Sequence, residues 1–86
     1  MVTVSRFYGI EIIFRFNDHD PPHFHAKYGE YWLEFGIRPL QVLAGNAPRR
    51  VVALVMEWAQ MHEAELATNW DACRTGGQPS RIDPLR

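Results

Sequence analysis

The first half of the chain alternates apolar and polar residues with the period of a β-strand. Ile10, Ile12, Phe14 and Phe16 share one face of an extended segment, with Glu11, Ile13 and Arg15 on the other, the pattern of a half-buried strand. Residues 3–8 supply a partner strand that turns at Gly9, although Phe7 and Tyr8 compete for the core and leave its register open. A second hairpin follows. With Gly29-Glu30 as a two-residue turn, Tyr28 faces Tyr31, Ala26 faces Leu33 and Phe24 faces Phe35, which makes an apolar face. The same register sets Lys27 opposite Trp32, His25 opposite Glu34 and His23 opposite Gly36 on the reverse face. His23, His25 and Glu34 are therefore expected to cluster on the side away from the main core. Residues 38–47 hold Pro and Gly breaks around Leu40-Gln41-Val42-Leu43 and read as a short edge strand or an irregular connection.

At Pro48 the period becomes helical. Val51, Val55, Trp58, His62, Leu66 (or Glu65), Asn69 and Cys73 recur at threes and fours, flanked by Leu54, Met61 and Trp70, and Gly76-Gly77 ends the run. A straight helix over this span measures about 39 Å at 1.5 Å per residue, longer than a domain of this size is wide. The segment is therefore expected to kink or split near His62, to overhang, or to pair with a second chain. The fold class that follows is α+β: a small antiparallel sheet of three to five strands packed on a C-terminal helix or helix pair. Residues 1–75 form one domain, and the polar, proline-containing residues 76–86 read as a flexible tail.

Composition narrows the functional classes. A chain of 86 residues that is 47% hydrophobic fits one modest core and leaves no room for a second. The longest purely apolar run, Val51 to Met56, falls far short of the roughly 20 residues of a membrane span, and no signal-peptide pattern opens the chain. The reading is a cytoplasmic protein without a membrane partner. A single cysteine, Cys73, rules out an intramolecular disulfide and reads as a small apolar helix residue. A net charge of −1 disfavours a protein whose main task is neutralising many phosphates. Arg49 and Arg50 stand at the start of the predicted helix, where the macrodipole disfavours each cation by about 0.3–1 kcal/mol. That conflict makes them candidate contacts for an anion or a partner.

The chemistry concentrates in residues 17–25, Asn-Asp-His-Asp-Pro-Pro-His-Phe-His, which carry three of the four histidines around a Pro-Pro corner. A His-x-His pair on a strand points both imidazoles to one face. Asp18, His19, His23, His25 and Glu34 form the candidate functional cluster. His23 and His25 are its metal-ligand candidates, for a divalent ion such as zinc, with Glu34, Asp18, His19 or Asp20 completing the donor set. A histidine beside one of these carboxylates also suits general acid/base work. The structural alternative is that Asn17 and Asp18 cap the turn, the prolines fix the corner and the histidines brace the strand. His62, on the apolar stripe of the helix, reads as a core residue satisfied by one hydrogen bond.

Val4-Ser5-Arg6-Phe7-Tyr8-Gly9-Ile10, the Phe16-to-Ala26 segment with its Pro-Pro-His-x-His signature, and Glu57-Trp58-Ala59 followed by His62, Glu65-Leu66 and Asn69-Trp70 together resemble a family of short bacterial proteins catalogued as a domain of unknown function. The resemblance covers roughly residues 2–73. It implies a small α+β domain, often encoded beside another short uncharacterised protein, an arrangement that suggests a toxin–antitoxin or regulatory pair. It assigns no catalytic residue. The expected function is a binding or regulatory component acting with a small protein partner or by self-association. The alternative is a metal-assisted hydrolase or nuclease built on His23 and His25. A third class, nucleic-acid binding through Arg49 and Arg50, is less favoured by the net charge.

Overall fold

The computed structural model describes residues 1–86 and contains five strands followed by two helices. The strands β1 (Val2–Phe7), β2 (Ile10–Phe14), β3 (His23–Tyr28), β4 (Tyr31–Ile37) and β5 (Leu40–Asn46) lie side by side in sequence order, every neighbour antiparallel. This is an α+β fold. Gly29 adopts φ +58° at the first central position of the β3–β4 turn, a conformation that side chains other than glycine's disfavour, and this fixes the hairpin. The ladder then pairs Tyr28 with Tyr31, Ala26 with Leu33 and Phe24 with Phe35, and on the other face His25 with Glu34 and His23 with Gly36. These are the pairs expected from the turn. Segment 40–46 resolves as an edge strand with a bulge opposite Glu34 and Phe35.

One face of the sheet carries Ile10, Ile12, Phe14, Phe24, Ala26, Leu33 and Phe35 into a single core with Val51, Val55, Trp58, Leu66 and Trp70 from the helices. Helix α1 runs Arg49–Met61 and α2 runs Glu63–Arg74. The break falls at His62, the first of the alternatives left open by the length argument: the principal extents are 33 × 25 × 22 Å, too short for a continuous helix of that span. Its cause is local. The His62 N–H turns back to the Ala59 carbonyl, and the His62 ring donates from Nδ1 to Glu65 Oε1 at 2.6 Å. Glu63 and Glu65 also place negative charge in the first turn of α2, where the macrodipole favours it. No helix is long and apolar enough to cross a membrane. Cys73 is buried in the core, and that burial pushes its thiol pKa up.

The segment after Gly77, which the sequence reads as a tail, packs against the domain. Ile82 and Leu85 are buried, and the segment is tied at several points. Ser80 and Asn69 exchange two hydrogen bonds of 2.8 and 2.9 Å, and Trp58 Nε1 donates to the Asp83 carbonyl at 2.7 Å. The Ile82 N–H reaches the Val4 carbonyl at 2.9 Å. That acceptor is free because a β-bulge between Thr3 and Ser5 takes Val4 out of the β1–β2 ladder. A polar, proline-containing composition concealed two apolar anchors and a set of backbone acceptors waiting for them.

On the reverse face Glu11 accepts from Thr3 Oγ1 at 2.8 Å and pairs with Arg6 at 3.2 Å. The Thr3 hydroxyl, followed by the charges of Arg6 and Lys27, holds the Glu11 carboxyl below its ordinary value, against the opposing effect of desolvation. The unfolded chain then binds the proton first as pH falls, so the stabilisation is present above about pH 4.5 and is lost through and below that value. Thr3→Val is expected to lower stability at pH 7 and to lose most of its effect at pH 3. Urea unfolding at the two pH values checks this, and an effect of equal size at both would contradict it.

Candidate metal centre

The cluster is assembled by one strand, one loop and the neighbouring strand. β3 opens with His23 and His25 on the same face. The Pro21-Pro22 corner brings residues 17–20 back over its start, and β4 supplies Glu34 from across the ladder. Asn17, at φ +56°, takes a left-handed conformation that asparagine tolerates better than most residues, and Asp18 Oδ1 accepts from the His19 N–H at 3.1 Å. The Pro22 carbonyl is held by the Ile37 N–H at 3.1 Å, which anchors the corner to the end of β4.

His23 is fixed at both ring nitrogens. Nδ1–H donates to the Pro21 carbonyl at 2.7 Å, so Nε2 is the atom turned to Asp18, with Oδ2 at 2.9 Å. A carbonyl can only accept, which assigns a proton to Nδ1 and leaves Nε2 to bind either a second proton or a metal. Backbone-directed Nδ1–H is the arrangement by which metal-ligating histidines are oriented. Behind the ring lies Trp70 of α2, with centroids 5.1 Å apart, so His23 is enclosed rather than displayed on an open sheet face. Arg74, one turn further along α2, pairs with Asp20 at 2.7 Å and ties the loop to the helix.

His25 is the contrasting member. It is buried, yet its Nδ1 has no hydrogen-bond partner and its Nε2 stands 3.7 Å from Glu34 Oε1, beyond hydrogen-bond length. Burial lowers its pKa, helped by the charges of Arg15 and His23 and only partly opposed by Asp18 and Glu34. The ring is therefore neutral at pH 7, the form that ligates metals. Glu34 Oε1 also lies 3.9 Å from His23 Nε2, so one carboxylate oxygen faces both imidazoles.

Ligand atoms of Asp18, His23 and His25 lie within 4.8 Å of one another, a group that can hold a metal ion. Glu34 borders it. His19 does not join: its ring is 5.8 Å from that of His23, exposed, with Nδ1 at the Asp20 carbonyl. His62 is away from the cluster, against Trp58 and Glu65. Arg49 and Arg50 are exposed at the start of α1, which packs on the opposite face of the sheet, and they form no ion pair within the chain. The hairpin register signalled the His25–Glu34 pairing. Nothing in the sequence signalled the Trp70 backing or the Arg74–Asp20 tie, because both depend on where α2 crosses the sheet.

Neither the curated proteins nor the solved structures contain a match to this chain. A family model does match, over residues 9–71, which include the Pro-Pro corner, both strand histidines, Glu34 and all of the helical region but its last three residues. The chain belongs to the family described as a domain of unknown function (DUF4160).

Proposed function

We propose that this protein is a divalent-metal-dependent hydrolase, with Asp18, His23 and His25 as ligands and Glu34 as the base. The observation that carries the reading is the convergence of the ligand atoms of Asp18, His23 and His25 within 4.8 Å, with both imidazoles buried and His23 Nδ1 already committed to a carbonyl. Burial lowers the His25 pKa and so favours the neutral ring that ligates metals. A metal bound here would acidify a coordinated water and polarise the bond it attacks. In this arrangement the residues have separate tasks. The Pro21 carbonyl holds the His23 ring in one orientation through Nδ1, leaving Nε2 to the metal, and Trp70 excludes solvent behind it. Glu34, partly exposed and facing both imidazoles, is placed to take a proton from water.

The binding-component reading loses two of its supports inside the chain. The long helical run is divided at His62 rather than extended toward a second chain, and the large aromatic rings Trp58 and Trp70, which could otherwise face a partner, are buried in the core. What supports it still is the β5 edge, whose outer side has no strand partner and which exposes Val42. Glu34→Gln separates the readings. The hydrolase predicts that the variant keeps its metal stoichiometry and loses at least about a hundredfold in turnover of a phosphodiester or ester substrate, the range for a general base. Unchanged turnover, or loss of the metal together with Glu34, would contradict the assignment of that residue as base.

A further inference from the structure

A concavity of about 360 Å³ lies on the uncovered sheet face beside the cluster, lined by Arg15, His25, Trp32, Glu34, Ala44 and Gly45 among others. Gly45, one of the lining residues, has φ +84°, and a Cβ there would meet the Trp32 carbonyl oxygen at 2.1 Å, so the position is held to glycine. Trp32 is the one tryptophan of the three that is not buried. The Arg15 guanidinium and the Lys27 ammonium each lie 5.7 Å from its ring centroid, and neither is in an ion pair. A partly exposed indole, Arg15 and the residues His25 and Glu34 therefore border one small cavity, and Lys27 stands at the same indole.

We propose that this concavity binds a nucleotide, with the base against Trp32 and the phosphate on Arg15 and Lys27, so that the phosphoester faces His25 and Glu34. The proposal names a substrate class for the hydrolytic reading and rests on it for turnover, although the binding itself requires no metal. The volume sits at the small end of ligand sites and suits one nucleotide rather than a long polymer segment. The net charge of −1 points the same way, since two cations can neutralise one or two phosphates but not a duplex. An acidic peptide would use the cations and leave the indole unused. A planar base with a phosphate engages both, with stacking and the charged contacts each adding to affinity.

The test is a titration of chelator-treated protein with adenosine 5′-monophosphate, adenosine, inorganic phosphate, a single-stranded pentanucleotide and an oligoglutamate, following the tryptophan indole and arginine side-chain NMR signals. The monophosphate is expected to shift Trp32 and Arg15 while Trp58 and Trp70 stay in place. Adenosine and phosphate alone should bind about tenfold or more weakly, and Arg15→Gln, an exposed change that leaves the core intact, should weaken the monophosphate by about tenfold. A pentanucleotide that binds more tightly than the monophosphate, with a log–log salt slope of about −1.4 for two phosphates, identifies single-stranded nucleic acid as the source; the reverse order identifies the free nucleotide. An unmoved Trp32 signal at millimolar monophosphate overturns the proposal, as does an oligoglutamate that shifts the same signals equally. Nucleotide binding without any metal binding would sink the hydrolytic reading and leave this site standing; metal binding with no nucleotide would do the opposite.

Discussion

Zinc added to chelator-stripped protein is expected to raise its melting temperature by about 10 °C or more once free metal exceeds its Kd a hundredfold. A ligand that binds only the folded state stabilises it by about 2.7 kcal/mol at that excess, and for a domain of this size each kcal/mol is worth about 4–8 °C. The ligand atoms of Asp18, His23 and His25 come together only on folding, because they belong to a loop and a strand joined through the Pro-Pro corner. His25→Ala and Asp18→Asn should each abolish most of the rise, whereas His19→Ala should keep it, since that ring is exposed and points to the Asp20 carbonyl. The comparison is the difference with and without zinc within each variant, so that the cost of the substitution to the empty protein cancels. A rise that survives in both His25→Ala and Asp18→Asn would place the metal elsewhere.

Trp58→Ala is expected to cost about 3–5 kcal/mol, a large share of the roughly 5–15 kcal/mol by which small domains are stable. The ring is fully buried where α1 meets the sheet, with Phe7 at 5.3 Å, Phe24 at 6.0 Å and His62 at 5.3 Å between centroids. It also carries the hydrogen bond to Asp83, so its loss reaches the C-terminal segment. Trp58→Phe separates the two effects. It retains most of the packing but leaves the Asp83 carbonyl without its donor, at a cost of about 1 kcal/mol, and amide exchange at Ile82 should accelerate. Denaturant unfolding and native-state hydrogen exchange check both. An Ile82 amide that exchanges no faster in Trp58→Phe would show that the indole does not hold the segment.

The legible parts of this fold were those governed by local rules. Gly29 set the β3–β4 register, and through it the juxtaposition of His25 with Glu34 was available before any coordinates. The helical break was one of the alternatives that length left open. What could not be read depends on contacts remote in sequence. Residues 15–22 separate β2 from β3, and no turn chemistry there fixes how Ile13 comes to face His25 or how Arg15 comes to lie over Trp32. The docking of Ile82 and Leu85 depends on the bulge at Val4 and on acceptors from α1, signals at the opposite end of the chain. His23 is enclosed because Trp70, which flanks the helical stripe, lies at the rim where the core meets the cluster. The candidate site was thus visible in composition and pairing, and its closure was not.

The most direct test of the metal site is a two-dimensional proton–nitrogen correlation of the histidine rings through a zinc titration of the chelator-treated protein. The predicted result is a change that completes at one equivalent and is confined to His23 and His25. The His23 Nδ1 proton, donated to the Pro21 carbonyl, should persist, and His19 and His62 should be unmoved. Rings of His23 and His25 that stay unchanged in excess zinc, or a response that begins at His19 or His62, would contradict the account.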